Sequence, residues 1–160
     1  MLLYKYQESL TSLDPEGLLV NHRNQWWYQL LSGNWCSEVG LIHKMIKQYA
    51  NEDKDFVDIG AHIGTWTVLM APHFNMTHAF EPCKDTYNHL CGNLALRGIS
   101  DKVETYSYGL SNQEKELEFY DRGEDGGGNG FSSRGSHVEN PKPIKVKTKT
   151  LDSHNCKFLL

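Results

Sequence analysis

The sequence predicts an α/β protein with a parallel, doubly wound sheet, and three observations carry that prediction. Short apolar runs alternate with amphipathic segments between residues 55 and 108, in the order strand, helix, strand, helix, strand. Glycine or proline stands at the junctions between them. Beyond Ser111 the apolar period falls to two, which adds an antiparallel strand pair to the parallel core.

Residues ahead of Pro15 show weak periodicity and read as a mobile arm or a docking helix. Two helices follow. One runs from Asn24 to Leu31 with Trp27, Leu30 and Leu31 on one face; the other runs from Trp35 to Tyr49 with Ile42, Met45, Ile46 and Tyr49 on one face. Residues 1–50 are therefore taken as a helical N-terminal segment, and 51–160 as the sheet domain. Trp26 and Trp27 read as packing residues. Phe56-Val57-Asp58-Ile59 is an apolar run of strand length, placing a strand near 55–59. A helix near 65–71 ends at Pro72, and a strand follows near 77–81. The helix near 84–97 closes on Gly98, where a left-handed residue is wanted, and the third strand lies near 103–108. Glu116-Leu117-Glu118-Phe119-Tyr120 and Ile144 to Lys149 alternate like two antiparallel strands with one solvated face, which would carry Lys145, Lys147 and Lys149. Between them, the glycine-rich stretch 123–131 reads as a mobile loop or lid.

The chemistry concentrates at the end of the first core strand. Gly60 and Gly64 bracket a tight turn into the following helix, so a ligand can approach backbone that a Cβ would shield. Glu81, at the carboxyl end of the second strand, stands where doubly wound folds hydrogen-bond ribose hydroxyls. The dinucleotide fingerprint G-x-G-x-x-G fails here, because Ala61 and His62 follow Gly60 where that pattern needs its middle glycine. Asp58, two residues before Gly60, is an awkward neighbour for a pyrophosphate and suits a cofactor with a positive charge, such as S-adenosylmethionine.

These residues carry a resemblance. Asp58-Ile59-Gly60-Ala61-His62-Ile63-Gly64-Thr65-Trp66-Thr67 resembles the D-x-G-A-x-x-G-x-x-T motif of the FkbM-type S-adenosylmethionine-dependent methyltransferases, and Phe80-Glu81-Pro82 matches that family's F-E-P. Asn93 to Gly98, Gly109-Leu110-Ser111-Asn112, the pair Ser132-Ser133, and Val146 to Asp152 are similar to further motifs of the family in the same order. The likeness runs from about Trp35 to Leu160. It implies a Rossmann-like class I methyltransferase fold and a cofactor site made by Asp58, Gly60, Ala61, His62, Gly64, Thr65 and Thr67, with Glu81 and Pro82 at the second strand. Gly109, Leu110 and Ser111 would form a turn beneath the adenine. The family continues past its T-L-D segment with a strand bearing a D-V-E-G-like motif, whereas this sequence ends at Lys157-Phe158-Leu159-Leu160. The resemblance therefore implies most of a cofactor half and little of the half that shapes the acceptor pocket. No catalytic base is assigned.

Composition bounds the partners. A chain of 160 residues fits one domain with a real core, and 16 basic against 20 acidic side chains give a net charge of -4 with no basic excess to recruit nucleic acid. Cys36, Cys83, Cys91 and Cys156 lack zinc spacing, no apolar run approaches the ~20 residues of a membrane span, and a reduced, cytoplasmic protein without a metal is expected. The sequon Asn75-Met76-Thr77 reads as incidental. His62 is either a catalytic imidazole or the variable residue of its turn. His73, His78 and His89 read as exposed or structural, while His137 or His154 could reach an acceptor hydroxyl, and Ser132 and Ser133 could bond substrate or remain loop polarity. The function expected is O-methylation of a sugar, glycan or other small molecule. The alternative is a catalytically silent cofactor-binding module that needs a second chain or domain, with Phe158-Leu159-Leu160 as an apolar edge for pairing.

Overall fold

The computed structural model describes residues 11–13, 19–21, 36–122, 129–132 and 141–154. The expected helix from Asn24 to Leu31, with Trp26 and Trp27, lies outside the described residues, as do Ser133, His137 and the segment 155–160. In place of the arm or helix expected ahead of Pro15, β1 (Thr11–Leu13) pairs antiparallel with β2 (Leu19–Asn21). Three-residue strands are too short to show a period of two. Helix α1 (Cys36–Tyr49) follows within one residue of expectation. Its Met45 and Ile46 pack on Met70 and Phe74, but Tyr49 in its last turn is exposed.

The core sheet is formed by β3 (Phe56–Ile59), β4 (Thr77–Phe80) and β5 (Val103–Tyr106), all parallel and in that spatial order. The register aligns Ile59 with Phe80 and Phe80 with Tyr106. Helix α2 (Thr65–Met70) connects β3 to β4, and α3 (Lys84–Arg97) connects β4 to β5. Because the strands advance in one direction, right-handed crossovers lay both helices on the same face. Val68 of α2 and Leu90 and Leu94 of α3 accordingly share one buried cluster with Ala79 and Val103. Pro72 ends the α-helix as expected, by turning Ala71–His73 into a single 3-10 turn.

Gly98 closes α3 with φ +64°. Its N–H reaches the carbonyl of Ala95 at 3.1 Å, the N–H of Ile99 reaches that of Leu94 at 3.1 Å, and Ile99 packs on the cluster that holds Leu94. This is the paired backbone closure that a left-handed glycine permits. On the opposite sheet face, His78 is buried with Nε2 3.3 Å from Asp55, as a structural histidine should be. Phe80 and Tyr106 stack beside it at 4.6 Å.

Beyond the core sheet, β7 (Lys115–Asp121) and β8 (Lys142–Lys149) form the expected antiparallel ribbon. Lys145, Lys147 and Lys149 occupy its exposed face, while Val146 and Phe119 are buried against Cys83. Gly109–Leu110, expected to be a turn, is instead the short strand β6, which runs parallel to β8 and pairs with Thr148 and Lys149. This pairing brings the ribbon to the carboxyl end of the core sheet. Among the described residues, no helix is long and apolar enough to cross a membrane.

Candidate cofactor site

Backbone hydrogen bonds fix the turn after β3 before any side chain acts. The N–H groups of Gly60 and Ala61 both donate to the carbonyl of Phe80, at 2.9 and 3.0 Å, and that of Gly64 donates to Ala61 at 2.8 Å. Gly60, His62 and Gly64 all take positive φ, at +80°, +56° and +95°. The two glycines are positive for different reasons. A Cβ on Gly64 would sit 2.7 Å from Cδ1 of Leu90 in α3, whereas one on Gly60 would meet nothing within 4 Å. Gly64 is thus a packing contact, and Gly60 leaves open space beside the strand end. Asn93 secures the turn from α3, donating Nδ2 to the carbonyl of Ile63 at 2.7 Å.

The two acids are placed differently. Asp58 accepts a 2.6 Å hydrogen bond from the hydroxyl of Thr67 and another from the Thr67 backbone N–H, so it caps the first turn of α2 from behind the wall. Burial raises its pKa, against the lowering effect of those bonds. Glu81 reaches forward. Its Oε2 accepts from the backbone N–H of His62 at 2.9 Å and its Oε1 from that of Cys83 at 2.8 Å, and its own N–H donates to Tyr106 at 3.0 Å. The carboxylate is fixed by two donors and keeps acceptor capacity for others. Burial raises its pKa, opposed by those two backbone bonds, with Asp58 adding a smaller upward push. His62 is held neutral, its pKa lowered to about 4 by burial and by His89.

A cavity of about 220 Å³ opens between these elements. Gly60, His62, Glu81 and Pro82 line it from the core sheet, and Gly109 and Leu110 line it from β6. The structure therefore brings six of the twelve residues expected at the site onto one cavity wall. Asp58, Thr65 and Thr67 support it from behind: Thr65 is nearly buried and Thr67 wholly so. Ala61 and Gly64 are likewise buried in the turn. Ser111 is not on the wall, and its N–H is engaged by the carbonyl of Lys149 at 2.8 Å. His154 also lies elsewhere, bonded to Tyr108 at 3.0 Å and edge-on to Phe80. His89 bonds its own helix through the carbonyl of Asp85. Five lining residues were not among those expected at the site: Ile59, Phe119, Asn129, Phe131 and Gly130, the last four delivered by the ribbon and its connecting loop. Their sequence signals were the apolar character of the first, second and fourth and, for residues 129–131, a place in the glycine-rich stretch that reads as a loop or lid.

A family model of the methyltransferase FkbM domain matches residues 58–159, a span that begins on the acid beneath the glycine turn. The chain belongs to this family. The FkbM domain also resembles solved structures. The methyltransferase FkbM from Methylobacillus flagellatus KT is 12% identical with a TM-score of 0.43, over 64% of this chain and 23% of that one. An rRNA methylase from Streptococcus thermophilus is 18% identical with a TM-score of 0.41, over 44% and 42% of the two chains. The M. jannaschii protein TYW2, solved in complex with AdoMet, is 26% identical with a TM-score of 0.38, over 42% and 31%. The match spans less than half the length of each of these structures. No curated protein matches the chain.

Proposed function

We propose that this FkbM domain binds S-adenosylmethionine in the cavity between the Gly60 turn, Glu81 and β6, and that it serves O-methylation of a sugar, glycan or other small molecule. The observation that carries the reading is Glu81. A carboxylate locked by two backbone N–H groups at a strand end, with spare lone pairs on a cavity wall, suits the paired hydroxyls of a ribose. The surroundings fit the rest of the cofactor. Gly60 leaves the backbone open on the cavity side, and Asp58 and Glu81 bias the field toward a cation, which a sulfonium and an α-ammonium both supply.

When bound, S-adenosylmethionine supplies an electrophilic methyl group. The chain's task is to hold it: Glu81 fixes the ribose, the turn at Gly60 positions the backbone, and Asp58 keeps that turn in register through Thr67. Catalysis then depends on presenting an acceptor oxygen in line at ~3 Å.

Isothermal titration with S-adenosylhomocysteine tests the reading. Binding in the micromolar range is expected for the wild type. Glu81→Ala should lose at least tenfold, on the order of the 1.5–3 kcal/mol of a hydrogen bond to a charged group. A folded wild-type protein that binds NADH but not S-adenosylhomocysteine overturns it.

A further inference from the structure

We propose that Asn129 reads the base of the bound nucleoside, donating its side-chain amide hydrogen to a ring nitrogen of the purine. The inference rests on the cofactor reading above. Asn129 lies between β7 and β8, and its Oδ1 accepts the backbone N–H of Arg122 at 2.7 Å. That bond fixes the orientation of the amide, since the flipped form would set an N–H donor against an N–H donor. Nδ2 is then committed to the other side, where it is buried without a hydrogen-bond partner in the described structure. A buried donor in that condition is unfavourable until an acceptor arrives.

The segment is preset. Arg122 Nη2 donates to the carbonyl of Ser132 at 2.8 Å, and Gly130 and Tyr120 exchange backbone hydrogen bonds at 2.8 and 3.3 Å. Asn129 is thereby held on the wall of the cavity, which Gly109, Leu110 and Phe119 also line.

Phe131 adds an aromatic plane to this wall. The Phe131 ring stands edge-on to Phe119 with centroids 5.1 Å apart, and its Cζ is 3.1 Å from where a Cβ on Gly109 would lie. A glycine at 109 is what allows an aromatic plane this close to the backbone. With the ring in place the cavity of about 220 Å³ is smaller than the ~300–1,000 Å³ usual for ligand sites. Phe131 is 46% exposed, so its ring can turn outward into solvent and make room for the base beside Asn129. The cavity wall then offers a carboxylate for hydroxyls together with an apolar lining and one amide donor. That is the polarity of a purine nucleoside.

The test is titration of wild type and Asn129→Asp with S-adenosylhomocysteine and its 1-deaza, 3-deaza and 7-deaza analogues, each of which removes one ring acceptor. Aspartate keeps the oxygen that Arg122 needs and deletes the donor, so an unchanged melting temperature confirms that the loop is intact. One deaza analogue should bind the wild type on the order of tenfold more weakly than the parent, the equivalent of ~1.4 kcal/mol. The same analogue should show no such loss with Asn129→Asp. Deaza effects identical in the two proteins, or absent from both, overturn the role of Asn129 while leaving the cofactor reading intact. Failure of the wild type to bind the parent compound overturns both.

Discussion

Gly60 and Gly64 look interchangeable in the sequence, and the structure assigns them separate tasks. Both have positive φ, so an alanine at either is strained by roughly 1–2 kcal/mol. At Gly64 the new methyl also meets Leu90 at 2.7 Å inside the main core cluster, a contact that forces α3 to shift or Leu90 off its rotamer. Urea unfolding should show Gly64→Ala losing about 3 kcal/mol and Gly60→Ala about half of that. The order should reverse for ligand affinity per unit of stability lost, because only Gly60 lies on the cavity wall. Equal losses of stability would mean that backbone strain alone sets the cost. The acids were legible for a related reason. Asp58 and Glu81 stand at fixed offsets from a glycine turn, and local offsets survive in the sequence, so both could be placed beside that turn from the sequence alone. Their hydrogen-bond partners were not legible, since they depend on the fold: the buried Thr67 hydroxyl draws Asp58 away from the cavity and onto α2.

At the level of elements, β3, α2, β4, α3 and β5 were readable because each holds its signal within its own few residues: an apolar run, a proline stop, a glycine closure. The ribbon was readable by its period of two. Opposite charges align across it, Glu116 with Lys147 and Glu118 with Lys145, which explains why an exposed row of lysines needs no anionic ligand. β6 was not readable. It has two residues, and its partners Thr148 and Lys149 lie far along the chain, so nothing local distinguishes it from the turn it was expected to be. That one pairing has a large effect on the site. By joining β8 it sets Phe119, Asn129 and Phe131 opposite Glu81, and no spacing rule could have linked those residues to the glycine turn. The purine-reading role of Asn129 is therefore a property of topology rather than of motif.

Over the whole molecule, the site gathers buried ionisable groups whose titrations oppose one another. Burial raises the pKa values of Asp58 and Glu81, so the folded state holds their protons more tightly than the unfolded chain does. Stability from these acids is greatest below their unfolded values and declines as pH rises through the folded ones. His62 acts in the other direction. Its pKa falls from 6.5 to about 4, so its contribution is intact above pH 6.5 and is lost as pH drops toward 4, where the unfolded chain takes up the proton first. The windows overlap, and the wild-type profile between pH 4 and 7 should be flatter than any one group implies. His62→Gln separates them. Between pH 7 and pH 4.5 the variant should gain about 2 kcal/mol relative to wild type in urea unfolding, a figure reduced from the full shift because the imidazole is partly exposed. Asp58→Asn should do the opposite, gaining on wild type as pH rises, because the buried negative charge is then absent. Parallel pH profiles for wild type and His62→Gln would show that the imidazole is solvated in the folded state and that its turn, rather than its charge, explains its place in the site.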